Sequence, residues 1–352
     1  MTLTLALETS CDETSAAVVE DGRHVRSNIV SSQIEMHAPF GGVVPELASR
    51  QHIRAILPVV ETALSEAGAS RNDVDTIAAT QGPGLAGALL VGVTFGRALA
   101  LALDRPFVPV NHLEGHIHSV WLTREAPPSA PPRLPMLTLI VSGGHTELVL
   151  VAGHGDYQVV GRTLDDAAGE AFDKVGRLLG LPYPGGPAIQ KAATTATDPV
   201  HLPRAWLRGT YDFSFSGLKT AVLHLVHQTV QGDGVGAPRG AKLPHLDVAT
   251  GLTPVQVANI AAGFQRSVVD VLATKTAQAA ADLHVASIAV VGGVAASTAL
   301  RAEVVARAGV PVHIAPLEYC TDNAAMIASA GYFVPRAHSG VDVLPSMALR
   351  GG

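Results

Sequence analysis

The sequence predicts an α/β protein made of two duplicated lobes with a cleft between them. Segments typical of strands alternate with segments typical of helices through both halves of the 352 residues, a pattern that indicates sheets covered by helices. Each half opens with a β-hairpin of the same design, at residues 3–19 and 137–151, which indicates an internal duplication. Because ligand sites favour clefts, we expect functional residues where the strands of both halves end.

A proline-rich stretch separates the two halves. Residues 125–132 read EAPPSAPP, which can continue neither a helix nor a sheet. The C-terminal half also contains a helical insertion, and its residues 231–251 are rich in Gly and Pro without periodicity, which predicts a mobile loop. The predicted organisation is an N-terminal lobe at 1–124, a boundary at 125–135, a C-terminal lobe at 136–335 and a tail at 336–352.

Hydrophobic periodicity places the main elements of each half. In the first half it predicts helices at 49–67, 84–103 and 113–122, and strands at 75–80 and 107–110. In the second half it predicts helices at 165–179, 255–283 and 298–308, and a buried strand at 287–291. The mixed Ser and Phe sequence at 213–220 is typical of a capped helix start.

The composition favours a soluble small-molecule enzyme of the cytoplasm. Glu8, Asp12 and Glu13 interrupt the first apolar stretch, which argues against a signal peptide, and no apolar run is long enough for a membrane span. Cys11 and Cys320 are the only cysteines, as expected in a reducing compartment. Nucleic-acid binders are usually basic, whereas this chain has a net charge of −6 and 4% aromatic residues. Any contact with RNA is therefore expected through a local patch or with the help of a partner.

Two histidines are spaced to share one face of a helix. His112 and His116 lie four positions apart, so both imidazoles can bind one metal ion. Two solvated helical histidines are the alternative. The H-E-x-x-H motif of metalloproteases is not matched, because Glu114 follows His112 by two positions instead of one.

A second polar cluster, CTDN at residues 320–323, precedes an apolar helix. Thr321 or Asp322 is a natural N-cap for that helix. Alternatively, Asp322 faces the cleft as a third ligand, since two imidazoles and one carboxylate leave open coordination positions that suit catalysis at iron or zinc. Spacing alone does not join Asp322 to the two histidines.

Two glycine-rich turns follow strands at the predicted cleft. The turn SGGHT at 142–146 can form a nest of backbone N–H groups for a phosphate, although a hairpin that needs positive φ would also use Gly-Gly. Gly292-Gly293 has the same ambiguity between nucleotide binding and tight strand-to-helix packing. The acidic turn with Asp12 and Glu13 lies at the corresponding position of the first hairpin.

Several of these segments together resemble a known family, the bacterial transferases of tRNA threonylcarbamoyladenosine synthesis, once labelled O-sialoglycoprotein endopeptidases. The similar segments run in order from about residue 3 to about residue 330. They are residues 8–14 (ETSCDET), 41–50 (GGVVPELASR), 82–85 (GPGL), 112–116 (HLEGH), 142–146 (SGGHT), 166–174 (DAAGEAFDK), 213–220 (FSFSGLKT) and 320–323 (CTDN).

The resemblance implies a fold of the actin, hexokinase and heat-shock-chaperone type. It implies one divalent metal, Fe²⁺ or else Zn²⁺, bound by His112, His116 and Asp322. It also implies transfer of threonylcarbamoyl from threonylcarbamoyl-AMP to the exocyclic amine of the adenosine next to the anticodon, in tRNAs that read codons beginning with A, with release of AMP. The implied partners are tRNA, an actin-like pseudo-enzyme subunit and a small P-loop ATPase.

The resemblance assigns further residues to the adenylate. It implies that the substrate phosphate lies on the segment Ile140, Val141, Ser142, Gly143 and Gly144. It places Asp173 and Gly186 at the ribose or base. Asp12 or Glu13 is our candidate to accept the proton of the attacking amine.

The sequence departs from the family at one position. Where the family has Ser-Ala-Asn after Gly292-Gly293-Val294, this chain has Ala295-Ala296-Ser297, so Ser297 stands where an Asn contacts the nucleotide. An ATP-dependent metabolite kinase of the same fold is the alternative function, and it does not need a metal at the two histidines. A metalloprotease and a non-catalytic scaffold are the weaker alternatives.

Overall fold

Two five-stranded mixed sheets form the frame of the computed structural model, which describes residues 1–125, 131–231, 251–334 and 342–349. The first sheet contains β1 (Leu3–Glu8), β2 (Glu13–Glu20), β3 (His24–Ser32), β4 (Thr76–Gly82) and β5 (Phe107–Asn111). The second contains β6 (Met136–Val141), β7 (Thr146–Gly153), β8 (Asp156–Arg162), β9 (Ser287–Val291) and β10 (Val312–Ile314).

The two sheets have the same topology. The strand orders are β3-β2-β1-β4-β5 and β8-β7-β6-β9-β10. In each sheet the first three strands are antiparallel neighbours and the last two join in parallel. The predicted hairpins are therefore confirmed as β1–β2 and β6–β7, and with them the internal duplication and the two-lobe α/β fold.

The helices cover these sheets. They are α1 (Ile34–His37), α2 (Pro45–Glu66), α3 (Ala86–Leu103), α4 (His112–His118), α5 (Ala168–Leu178), α6 (Gly185–Ala193), α7 (Ser216–Gln231), α8 (Pro254–Asp282), α9 (Thr298–Arg307) and α10 (Ala324–Phe333). Short 3₁₀ turns lie at Ala38–Phe40, Arg71–Asp73, Ser119–Trp121, Gly293–Ala296 and Leu317–Tyr319. The predicted helices and strands are present, with ends displaced by a few residues.

The largest displacements have local causes. Helix α2 begins at Pro45, a residue that suits the first helical turn. Helix α5 begins at Ala168 instead of residue 165, because the Asp165 carboxylate accepts hydrogen bonds from the backbone N–H groups of Phe215 and Ser216 at 2.8 and 3.2 Å. Asp165 thus caps α7, whose start was predicted in this segment.

Each face of the first sheet has its own core. Leu5, Leu7 and Ile77 pack with α2 and α3, whereas Ala6 and Ala78 on the opposite face pack with α10. Helix α10 therefore packs on the first sheet although it follows the second sheet in the chain. Helix α3 is long and apolar enough to cross a membrane by length and composition, so the expectation that no apolar run reaches that length is wrong. One third of this helix is buried, and it packs on strands β1, β4 and β5.

A C-terminal segment, residues 342–349, lies across the junction of the two lobes. Its backbone pairs with the N-terminal lobe, where the N–H of Leu344 donates to Gln81 (2.9 Å) and Pro345 accepts from Gly84 (3.1 Å). Its Leu349 packs against the core of the second lobe. We call this segment the strap. Most of the loop predicted at 231–251, and residues 126–130 of the predicted boundary, lie outside the described residues.

Candidate metal and nucleotide site

Three predicted ligands come together at the junction of the lobes. Strand β5 ends at Asn111, whose side chain accepts from the N–H of Leu113 (2.8 Å) and caps α4, so His112 and His116 lie on one face one turn apart. Asp322 lies in the turn before α10. One ligand atom from each of the three lies within 4.8 Å of the others.

The cap of α10 leaves Asp322 available. The side chain of Asn323 accepts from the N–H of Met326 at 3.1 Å, so the expectation that Thr321 or Asp322 caps this helix is wrong. Asp322 Oδ1 instead lies 3.5 Å from His112 Nε2 and 3.2 Å from His116 Nε2.

The surroundings of His116 fit a cation. Both ring nitrogens are buried, and neither has a hydrogen bond of acceptable geometry among the described residues, even though Nε2 lies close to Asp322. A buried imidazole without hydrogen bonds is costly, and coordination to a metal ion would satisfy its ring nitrogen. Two imidazoles and one carboxylate are also a donor set that binds iron or zinc and leaves positions open.

Glu8 at the end of β1 orients the first of these ligands. Its Oε2 lies 3.0 Å from His112 Nδ1 and accepts from the hydroxyl of Thr80 at 2.6 Å. Burial would lower the pKa of His112, but the carboxylates of Asp322 and Glu8 raise it well above the usual value. Burial would likewise raise the pKa of Asp322, yet His112 keeps it low. The cluster therefore favours positive charge at its centre, which a metal ion can supply.

The acidic turn of the first hairpin lies beside this cluster. Asp12 is buried, and Glu13 at the start of β2 accepts from the hydroxyl of Ser32 at 3.1 Å. Burial, followed by the negative charges of Asp322 and Asp12, raises the pKa of Glu13 to about 9. The structure thus brings both predicted carboxyl groups to the side of the three candidate ligands, His112, His116 and Asp322, which we call the metal cluster.

The glycine turn between β6 and β7 is open to solvent. Gly143 and Gly144 are exposed, and a Cβ added to either would meet nothing within 4 Å. Neither has a positive φ, so the alternative that the hairpin requires glycine for its backbone conformation is wrong. Ile140 and Val141 are buried in β6, so only their backbone can face a ligand. The turn is therefore free for close approach by a bound group.

Helices α5 and α6 meet next to this turn. Asp173 Oδ1 accepts from the N–H of Gly185 at 2.7 Å, which fixes the start of α6 against α5. Gly185 has no room for a side chain because a Cβ would collide with the carbonyl of Phe172. A Cβ on Gly186, by contrast, would meet nothing within 4 Å. Asp173 and Gly186 therefore lie close together at the first turn of α6, as a shared ligand contact requires.

Gly292, the first residue of the second glycine pair, has a packing role. Gly292 has a φ of 92°, and a Cβ there would lie 2.5 Å from the carbonyl oxygen of Val141. Ser297 accepts from the N–H of Leu300 at 3.4 Å and caps α9. The N–H of Thr298 donates to Gln190 of α6 at 3.0 Å, which ties the start of α9 to the helix that begins with Gly185.

Comparison with known proteins identifies the family. The sequence profile of TsaD, described as tRNA N6-adenosine threonylcarbamoyltransferase, matches residues 24–329. The chain belongs to this family. It is 54% identical over 332 residues to the tRNA N6-adenosine threonylcarbamoyltransferase of Thermomicrobium roseum, covering 94% of this chain and 91% of that protein. The enzyme of the same name from Bacillus subtilis is 49% identical, with 93% and 89% covered.

Solved structures show the wider fold of the threonylcarbamoyltransferase chain. HypF of T. kodakarensis has a TM-score of 0.59 at 13% identity, over 94% of this chain and 47% of that protein. Component A of the (R)-2-hydroxyglutaryl-CoA dehydratase of Acidaminococcus fermentans has a TM-score of 0.50 at 14% identity, covering 94% and 97%. These similarities support the actin and hexokinase type of duplicated fold that the sequence predicted.

Sequence reasoning missed several residues of this transferase site. Glu8 was noted only as a polar interruption of the first apolar stretch and as the first residue of the 8–14 segment, and nothing in the sequence connects it to His112, 104 positions later. Ser10 Oγ also lies 3.3 Å from His112 Nδ1. The strap was predicted only as a tail, because its contacts combine backbone hydrogen bonds with a few separate apolar side chains such as Leu349, which form no periodic pattern.

Proposed function

We propose that this protein transfers a threonylcarbamoyl group from threonylcarbamoyl-AMP to the exocyclic amine of the adenosine next to the anticodon, in tRNAs that read codons beginning with A. The observation that carries the proposal is the His112, His116 and Asp322 cluster beside an open glycine turn, in a chain of this transferase family. AMP leaves with the electron pair of the broken carbonyl–oxygen bond.

His112, His116 and Asp322 would hold one divalent metal, Fe²⁺ or Zn²⁺, which supplies Lewis-acid polarisation of the attacked carbonyl. The buried ring of His116, whose nitrogens lack a hydrogen bond among the described residues, supports this assignment. Glu8 fixes the ring of His112 so that Nε2 points into the cluster.

The glycine turn would bind the adenylate phosphate. The backbone of Ile140, Val141 and Ser142 leads into Gly143 and Gly144, where open space allows N–H groups to approach the phosphate oxygens and stabilise charge on departing AMP. Asp173 and Gly186 would contact the ribose or base. Ser297 is the candidate for a further nucleotide contact at the start of α9.

The attacking amine must lose a proton as its bond to the carbonyl forms. Asp12 and Glu13 are our candidates to accept it, because both lie beside the cluster. At a pKa of about 9, Glu13 holds its proton at neutral pH. It can accept the amine proton only in its ionised form, which the positive charge of a bound cation would favour.

The acidic chain is expected to work with partners. A net charge of −6 gives little attraction to RNA, which supports the involvement of an actin-like pseudo-enzyme subunit and a small P-loop ATPase. A tRNA substrate and two unpaired cysteines, Cys11 and Cys320, support a place in the cytoplasm.

A metabolite kinase of the same fold would also use a phosphate-binding turn, but it has no need of the metal cluster. The experiment that separates the two combines this protein, its partner subunits, threonylcarbamoyl-AMP and a tRNA transcript, and measures the modified nucleoside by mass spectrometry. Transfer to the wild-type transcript, and none when guanosine replaces the target adenosine, is expected. Phosphorylation of a metabolite with no nucleoside product would contradict the proposal.

A further inference from the structure

A cavity of about 800 Å³ lies at the lobe junction beside the metal cluster. Leu113 of α4 and Gly84 form its N-terminal-lobe wall, β7 and β8 form the opposite wall, and the strap closes one side with Met347 and Leu349. Its volume is in the range of ligand pockets, roughly 300–1,000 Å³. None of the residues proposed for the adenylate lines it.

The direction of the β7 side chains separates this cavity from the adenylate residues. Thr146 points towards α5, since its hydroxyl accepts from the N–H of Ala168 at 2.9 Å. Neighbouring side chains of a strand point to the opposite face, so His145 and Glu147 point away from α5 and line the cavity. The pKa of His145 is lowered to about 4 by burial, followed by the charges of His112 and His116. His145 therefore also lies near the metal cluster.

One carboxylate oxygen of Glu147 lacks a hydrogen-bond partner in this cavity. Its Oε2 is shielded from solvent and has no hydrogen bond among the described residues. Arg162 is its direct cross-strand neighbour on β8. Arg162 is exposed, and its charge opposes the rise that burial causes in the pKa of Glu147. A partly buried carboxyl with one shielded oxygen that has no hydrogen bond is suited to a ligand that donates one.

Apolar side chains stand at the mouth of the same cavity. Leu164 and Val159 are 65% and 37% exposed, and both line it. Exposed apolar side chains around a shielded acceptor oxygen suit a flat, mostly apolar ring that carries an amine. Carboxylates accept hydrogen bonds from the exocyclic amines of bases, and bases of single-stranded RNA loops can be turned out of the stack into such pockets.

We propose that this cavity is the acceptor site, in which the target adenine enters between Leu113 and the strap, Glu147 accepts one N–H of its exocyclic amine, and Arg162 at the mouth binds an adjacent RNA phosphate. This inference rests on the proposed function and gives it a second, separate subsite. The donor and acceptor thus approach the metal cluster from opposite faces of β7.

The reaction balances with Glu147 as a positioning residue. One amine proton stays hydrogen-bonded to Glu147, and the nitrogen lone pair forms the new bond to the carbamoyl carbon. The other amine proton passes to Asp12 or Glu13. The bond from the carbonyl carbon to the phosphate oxygen breaks, and AMP leaves with its electron pair.

The test uses the full chain with its partner subunits, threonylcarbamoyl-AMP and an anticodon stem-loop RNA. Glu147→Ala should raise the RNA KM by about 10–100-fold, the usual effect of losing one hydrogen bond to a charged group. Glu147→Gln can still accept a hydrogen bond and is expected to raise the RNA KM by less. Val159→Trp, which fills the cavity, should give the same defect as Glu147→Ala. Glu303→Gln, on α9 outside the cavity, is the matched control.

Three further measurements distinguish this role from a structural one. Metal content, thermal stability and calorimetric AMP binding should stay at wild-type values in the Glu147 variants. Arg162→Ala should raise the RNA KM and lower the slope of log affinity against log salt by about one, as for one lost phosphate contact.

The outcomes also separate the inference from the proposed function. Wild-type transfer with unchanged RNA KM in both Glu147→Ala and Val159→Trp would overturn the acceptor site and leave the transferase intact. Absence of transfer by the wild-type assembly would overturn the transferase itself. A raised KM together with weakened AMP binding would also overturn the inference, because donor and acceptor would then share one subsite.

Discussion

Glu8 Oε2 lies 3.0 Å from Nδ1 of His112, so the other nitrogen of that ring is turned towards Asp322. A carboxylate that accepts the Nδ1 proton fixes the tautomer in which Nε2 carries the lone pair. The end of the first strand and the start of α4, far apart in sequence, together prepare one metal ligand.

Replacement of Glu8 by Gln should weaken metal binding without removing any ligand. The Gln side-chain amide can donate to Nδ1, which favours the tautomer with a proton on Nε2 and blocks coordination. We expect affinity to fall by about 10–100-fold, as for other residues that orient ligands, measured by competition with a chelator. Thr80→Val, which removes only the hydroxyl donor to Glu8, should have a smaller effect. Equal affinity in Glu8→Gln and wild type would contradict this role.

The metal cluster itself should bind about one transition-metal ion per chain, as three protein ligands can. The double variant His112→Ala with His116→Ala is expected to abolish it, measured by plasma emission spectrometry of purified protein. His201→Ala, at an exposed position, is the control and should retain the metal. Unchanged metal content in the double variant would exclude the assignment.

Much of the frame could be predicted from sequence, because hairpins, apolar strands and helical spacing are local patterns. The tertiary placement of α10 on the first sheet could not, since its apolar sequence is compatible with either core. The choice of cap at α10 was also mispredicted: Thr321, Asp322 and Asn323 are all good caps, and only the fold selects Asn323. Only the resemblance to the family placed His112 and Asp322 in one predicted metal site. Their spacing in the sequence could not predict it.

The open glycine turn offers a test of ligand binding that folding should not disturb. Gly143→Ala adds a methyl group into open space at a φ that Ala accepts, so thermal stability should not change. The methyl should obstruct the approach of a phosphate and weaken AMP binding in calorimetry. Gly263→Ala in α8 is the contrasting variant: its Cβ would collide with Val200 and should cost about 1–3 kcal/mol of stability. Loss of stability without loss of AMP affinity in Gly143→Ala would contradict the phosphate role.

The chain alone should not make the modified nucleoside from simple precursors. We expect no product from this protein with tRNA, ATP, threonine and bicarbonate, because no segment of the sequence resembles a domain that synthesises the adenylate. Addition of threonylcarbamoyl-AMP and the partner subunits should restore transfer, measured by nucleoside mass spectrometry. Product formation from the simple precursors would show that the donor is made here.

Variants of Ser297 test whether the start of α9 binds the nucleotide in addition to capping the helix. Its hydroxyl accepts from the N–H of Leu300 at 3.4 Å, a long bond that leaves the side chain able to reorient. Ser297→Ala should lower stability by about 0.5–2 kcal/mol through loss of the cap. Ser297→Asn keeps a capping residue and adds an amide donor and acceptor, so we expect AMP binding to improve by about 0.5–1.5 kcal/mol, the net value of one hydrogen bond. Calorimetry of AMP binding and thermal unfolding of both variants separate the two roles. If Ser297→Ala loses stability while neither variant changes AMP affinity, Ser297 is only a cap, and the contact must come from another residue of the 292–297 turn.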